Sequence, residues 1–172
     1  AFAVEPVISK IAFGSCANQN EPQPILDRVT HGNADLFIYL GDNIYGDTQD
    51  MDVLRTKYQI LGKRPEYQRM KASTKIIATW DDHDFGVDDG GREYRRKEES
   101  KELFLEFFDE PKRSPRRQHP GIYTSYEYGP KDKRVQVILL DLRTFRSRLK
   151  RSGRRPSIPH AGPYTPDASE DA

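Results

Sequence analysis

Residues Asp35 to Asp47 read DLFIYLGDNIYGD. The first half is a run of consecutive apolar residues, Leu36 to Leu40, closed by Gly41. A run without polar alternation predicts a strand buried on both faces, as in a parallel sheet. The second half turns polar at once: Asp42, Asn43, Tyr45 and Asp47 follow within six residues.

The same change of character recurs on either side. Upstream, Ile8 to Gly14 (ISKIAFG) predicts a short strand that runs into Ser15 and Cys16. Downstream, Lys75 to Trp80 (KIIATW) predicts a third strand that runs into Asp81-Asp82-His83-Asp84. Between them, Pro22 to Thr30 predicts a helix with proline in its first turn, and Met51 to Leu61 a helix ending at Gly62. A third helix is expected over Gly91 to Phe108. Ile122 to Tyr128 and Arg134 to Leu142 predict two strands joined by the turn Gly129 to Lys133 (GPKDK), hence a hairpin. Alternating strands and helices argue an α/β sheet with right-handed crossovers. Residues 1–147 form one unit in this reading. Residues 148–172, rich in Pro and Arg, lack apolar periodicity and are expected to be irregular.

Composition narrows the class. Hydrophobic residues make up 35% of the 172 and charged residues 32%, a polar balance against the ~25% charged of ordinary domains. The single cysteine excludes an internal disulfide and zinc sites built on several thiolates of this chain. No run of ~18 apolar residues predicts a membrane span. Ala1-Phe2-Ala3 has the small-x-small look of a signal-peptide cleavage site, which would make the chain the mature side of one. Residues 1–90 hold nine Lys/Arg against fourteen Asp/Glu, and residues 91–172 hold nineteen against thirteen. Such a division suits a metal site beside an anion-binding surface, or simply two solvated faces.

Three loops then leave the carboxyl ends of three strands, where open α/β sheets bind ligands. Cys16 alone reads as a small buried hydrophobe or as a thiolate ligand. Asp42 reads as a turn residue or as a ligand, with Tyr45 three positions on able to reach the same cation. Three carboxylates within Asp81 to Asp84 repel one another, so they need a cation or several hydrogen bonds. His83 has the chemistry of a ligand, an acid/base or a donor to phosphate. Asp88-Asp89-Gly90-Gly91 does not fit a calcium-binding EF-hand frame.

These pieces together are recognisable. FGSCANQ (Phe13 to Gln19), LGDNIYGDT (Leu40 to Thr48), ATWDDHDFG (Ala78 to Gly86) and ILLDLRTFRS (Ile138 to Ser147) occur in order. In them the chain resembles the PhoD-like alkaline phosphatase/phosphodiesterase family, within the calcineurin-like metallophosphoesterases. The resemblance implies a four-layer α/β/β/α sandwich, of which this chain supplies only the first sheet half with its helices. It implies Cys16, Asp42 and Tyr45 as ligands of Fe(3+). Asp42 would bridge to a second metal, Ca(2+), which Asp82 also holds. His83 and Asp42 would be the catalytic residues, His83 contacting the phosphate. The implied reaction is hydrolysis of a phosphate mono- or diester by a hydroxide activated between two metals. Nucleic acid enters only as a possible substrate. Arg92 and Arg143 are candidates for holding the anionic substrate. A periplasmic or secreted location is implied in the same way.

The family carries further histidine ligands in a second half. Here His31, His119 and His160 do not follow buried strands. The expectation is therefore of a catalytically incomplete fragment that binds metal weakly, or of a chain whose partner is a missing carboxyl-terminal half. Seven basic residues between Arg143 and Arg155 suggest a polyanion-binding run as a further alternative.

Overall fold

The computed structural model describes residues 7–151 and 164–165. Three parallel strands, β1 (Ile11–Gly14), β2 (Leu36–Leu40) and β3 (Lys75–Thr79), form one sheet in the order β1-β2-β3. Ile11 pairs with Leu36, and Leu36 with Lys75, at the start of the ladder. β1 begins three residues later than the sequence suggests. The Asp35 carboxylate takes the N–H groups of Ser9 (2.8 Å) and Lys10 (2.9 Å), so this stretch is tied to a side chain instead of the ladder.

Helix α1 (Pro24–His31) links β1 to β2, and α2 (Met51–Lys63) and α3 (Pro65–Ser73) link β2 to β3. The Asp50 carboxylate caps α2, accepting from the N–H groups of Asp52 and Val53. The helix does not stop at Gly62, which instead lets the Phe107 ring approach: a Cβ there would lie 3.2 Å from it. The break comes at Arg64, whose backbone is extended because Pro65 follows it. Pro65 then opens α3, a helix not anticipated from the sequence. A single turn, α4 (Asp82–Phe85), follows β3. Helix α5 (Lys97–Phe107) begins six residues later than expected. Residues 91–96 form turns there, with the Arg92 N–H bound to the Arg146 carbonyl and the Tyr94 N–H to that of Gly91. The expected hairpin is present as β4 (Thr124–Tyr128) antiparallel to β5 (Val135–Leu139).

Alternate residues of β2 serve two cores. Phe37 and Tyr39 join Leu26, Leu54, Tyr67 and Phe104 on the helical side. Leu36 and Ile38 join Ile77 with Tyr128 and Leu139 of the hairpin on the other. Beyond the hairpin, nothing among the described residues covers this second face. Phe13 (69% exposed), Ile138, Leu140 and Leu142 lie exposed there or along the adjoining chain. Of the tail, the structure describes residues 148–151 and a two-residue pairing of β6 (Lys150–Arg151) with β7 (Tyr164–Thr165). The rest of the expected irregular segment, with His160, lies outside the described residues. No helix among the described residues is long and apolar enough to cross a membrane.

Arg116 lies at the hairpin end of this body, 2% exposed. Its Nε donates to the Ile122 carbonyl (2.6 Å) and its Nη2 to the Ala78 carbonyl of β3 (2.7 Å). Its guanidinium also lies over the Phe104 ring and 3.4 Å from Glu110.

Candidate metal centre

The loops after β1, β2 and β3 meet, and backbone bonds stitch them. The Cys16 N–H donates to the Gly41 carbonyl (3.3 Å), Ala17 to Asp42 (3.0 Å) and Gly46 to His83 (2.9 Å). Gly41 makes the crossing possible. Its φ is +110°, and a Cβ there would sit 2.7 Å from the Asp81 Cβ. Gly41→Ala is therefore expected to cost about 2–4 kcal/mol, combining a disfavoured backbone with overpacking. A urea midpoint within error of wild type would contradict this.

Four residues around the loops, Cys16, Asp42, Asp47 and Asp89, have φ between 46° and 58°. Asp tolerates this left-handed region, but Cys16 does so at a cost. Backbone strain concentrated in three touching loops is a mark of a functional site.

Asp42, Asp82 and His83 each bring one ligand atom to a group within 4.8 Å of one another. Cys16 joins through Asp42, its Sγ lying 3.4 Å from Asp42 Oδ2. Tyr45 lies beside them: its ring is 4.4 Å from that of His83, and Cys16 is among the neighbours that act on its hydroxyl. The five expected candidates Cys16, Asp42, Tyr45, Asp82 and His83 thus lie near one another, with Asp42 touching Cys16 and grouped with Asp82 and His83.

Electrostatics set each group's state. Burial pushes Asp42 up, against the Cys16 hydrogen bond and His83, and Asp81 and Asp82 add repulsion. Burial also pushes Tyr45 up, reinforced by Cys16 and Asp42. Asp82 lies lower than an ordinary carboxylate: burial opposes this, but the Asp89 N–H (2.8 Å) and Arg143 outweigh it. For His83 burial works downward, yet the contact of Nδ1 with Asp47 Oδ1 (2.6 Å) and the charges of Asp42 and Asp82 carry it above its usual value. Asp84 is fully buried and its burial drives it well above the carboxylate range. It accepts from the backbone N–H groups of Asn43 (3.1 Å) and Asp81 (2.7 Å), so it ties the β2 loop to the β3 loop.

These residues fit a cation. Asp42 is 9% exposed, and its Oδ1 has no hydrogen-bond partner among the described residues. A buried carboxylate oxygen without a donor, beside two further carboxylates, is offset by a positive ion. The donor set mixes hard oxygen with imidazole and thiol, as suits a hard cation beside a transition metal. A second group, Asp82 with Asp88 and Asp89, adjoins the first.

Several contributors were not assigned a role from the sequence. Asp47 orients His83 from 36 positions away. Asp141 organises the end of β5: its carboxylate accepts from Trp80 Nε1 (3.0 Å), Ile122 N (2.8 Å), Arg143 N (2.9 Å), and Thr144 N and Oγ1. Its position in LLDLR after an apolar run was the available signal. Of the two arginines named as candidates for holding substrate, Arg143 lies between Asp81 and Asp82, and Arg92 lies in the turns before α5, its N–H bound to the Arg146 carbonyl.

Burial opposes ionisation of Asp141, but the bonds from Thr144, Trp80 and Arg143 win and hold it below the usual range. A lowered folded-state value means stability that is complete above the unfolded value of about 3.9 and is lost as pH falls below it. Asp141→Asn should therefore be less stable than wild type near neutrality. The gap in thermal midpoint should shrink as pH falls below about 4. A gap that widens on acidification would contradict the assignment.

The class defined so far is an α/β protein with an acidic, metal-competent site at the carboxyl ends of a parallel sheet. The chain belongs to the PhoD-like phosphatase family, whose model matches residues 11–169. Its fold is similar to a solved structure described as "Structure of PhoD", with a TM-score of 0.66 and 16% identity. That likeness covers 86% of this chain and 33% of the other, so the chain spans about a third of that relative's length. No curated protein sequence matches it.

Proposed function

We propose that this chain carries a metal-dependent phosphoester hydrolase centre. Family membership supports the reaction class. The observation that carries the reading is the buried Asp42 carboxylate, whose Oδ1 has no hydrogen-bond partner among the described residues and which groups with Asp82 and His83. Cys16, Asp42 and Tyr45 would hold an Fe(3+), and Asp42 and Asp82 a Ca(2+). When bound, such ions supply Lewis acidity and a water acidic enough to attack phosphorus near neutral pH.

The chain's own residues do the rest. Asp47 engages Nδ1 of His83, which leaves Nε2 to donate to a phosphoryl oxygen as charge develops there. The Tyr45 ring against the imidazole limits its rotation. Asp84 and Gly41 hold the β2 and β3 loops in register, so that Asp42 and Asp82 converge. The substrate is a phosphate mono- or diester, and a periplasmic or secreted location belongs to the same family-based reading.

A second reading is favoured by the open apolar face at Phe13, Ile138, Leu140 and Leu142. In it, further polypeptide covers this face and completes the ligand set, and the chain alone turns over slowly. The polyanion alternative loses support, because Arg143 and Arg146 of the basic run are spent on internal contacts. Hydrolysis of bis-p-nitrophenyl phosphate, with the chain stripped and reloaded with iron and calcium, tests the main reading. Turnover that tracks metal supports it. Turnover indifferent to chelation would overturn it. A large rise on adding a carboxyl-terminal family segment would select the second reading.

A further inference from the structure

Arg143 presents an electrostatic puzzle. Its guanidinium sits between the carboxylates of Asp81 and Asp82, its side chain only 12% exposed. Nε is bound to Asp81 Oδ1, and Nη2 lies 3.5 Å from Asp82 Oδ1. Its Nη1 is buried and has no partner among the described residues. By charge alone, a fixed cation beside Asp82 should repel a metal ion there.

The geometry around it suggests another role. The Arg143 backbone is not free to move, because its N–H is bound to the Asp141 carboxylate. The same carboxylate grips Trp80, the last residue before Asp81. Arg146, one turn on, donates Nη2 to the carbonyl of Gly90 (3.1 Å) and also to that of Asp89. The Asp89 N–H in turn holds Asp82 Oδ2 at 2.8 Å. Both oxygens of Asp82 are thus held from the one turn at residues 141–146. Arg143 lies in ion-pair range of Oδ1, which also accepts from the His83 N–H (3.1 Å), and Arg146 reaches Oδ2 through the Asp89–Gly90 backbone.

We propose that Arg143 is a positioning residue for the metal centre, its planar fork fixing the Asp82 carboxylate toward Asp42, instead of a contact to substrate. The role rests on the cation reading of Asp42, Asp82 and His83. It yields an opposite sign to simple charge: losing the arginine weakens cation binding, although a positive charge has been removed. Outer partners of metal ligands commonly affect affinity ~10–100-fold.

The test uses the full chain and terbium(III), a luminescent stand-in for Ca2+, excited through Trp80, the single tryptophan. Arg143→Gln is expected to weaken terbium binding ~10-fold, and Arg143→Lys nearly as much, since lysine keeps the charge but lacks the fork. Equal or tighter binding by Arg143→Gln would overturn the proposal, as would full rescue by lysine. Should Arg143→Gln fail to fold, Arg143→Lys serves alone, because it keeps the charge and loses only the fork. Weakened binding there supports the role, and unchanged binding overturns it. Asp42→Asn separates the two readings. Binding that is lost in Asp42→Asn but kept in Arg143→Gln defeats only the arginine's role. Wild-type binding that is absent, or that Asp42→Asn leaves intact, defeats the cation reading and this role with it.

Discussion

Asp42→Asn is expected to weaken Ca2+ binding by more than about 100-fold, beyond the effect of losing an outer partner, and yet to raise the stability of the metal-free chain. Both effects have one cause. Asp42 is 9% exposed and burial already drives its carboxyl up, with Asp81 and Asp82 repelling it. Without a cation that charge is a cost, and removing it should stabilise the chain by roughly 1 kcal/mol. Asn is a clean replacement, because it accepts the left-handed backbone (φ 50°) that Asp42 adopts and most residues avoid. Thermal unfolding with and without Ca2+ checks both halves. Wild type should gain from calcium and the variant should not. A variant less stable than wild type without metal would mean that the Asp42 charge is already compensated inside the protein.

The largest structural loss is expected at Arg116→Met. Methionine fills much of the same space but donates no hydrogen bond. The carbonyls of Ala78 and Ile122 would lose their donors, and Glu110, 11% exposed, would lose its counter-charge. Removing one partner of a buried pair costs ~3–5 kcal/mol. Adding Glu110→Gln should recover part of it, because the uncompensated charge goes while the orphaned carbonyls remain. Urea unfolding measures both. A single-variant loss below about 1 kcal/mol would show that water replaces the guanidinium.

The three parallel strands were legible because Leu36 to Leu40 and Lys75 to Trp80 are apolar runs that stop abruptly at acidic loops. Convergence of those loops follows from the sheet, which made Cys16, Asp42, Tyr45, His83 and the carboxylates of Asp81 to Asp84 candidates, whereas singling out Cys16, Asp42, Tyr45 and Asp82 as ligands and His83 as the phosphate contact rested on the family resemblance. What stayed hidden was tertiary. Nothing local says that Asp47 will face His83, or that Arg143 will turn inward toward Asp81. Arg143 and Arg146 open a stretch that reads as a solvated basic run, and only packing shows that both are internal. Helix α3 was missed because Gly62 looks like a terminus, whereas its lack of a side chain serves the contact with Phe107. The single turn α4 is too short for periodicity to reveal; Asp84 reaching back to the Asp81 N–H creates it.

The contact between Arg116 and Ala78 also bears on the border of the sheet. The Ala78 carbonyl belongs to β3, the last strand of the parallel sheet in the order β1-β2-β3. A strand joining that border would need such a carbonyl as acceptor, and a buried guanidinium already occupies it. Edge strands invite pairing with another chain unless something blunts them. Here the Arg116 side chain takes up one acceptor of that border, and no strand pairs with β3 on that side among the described residues.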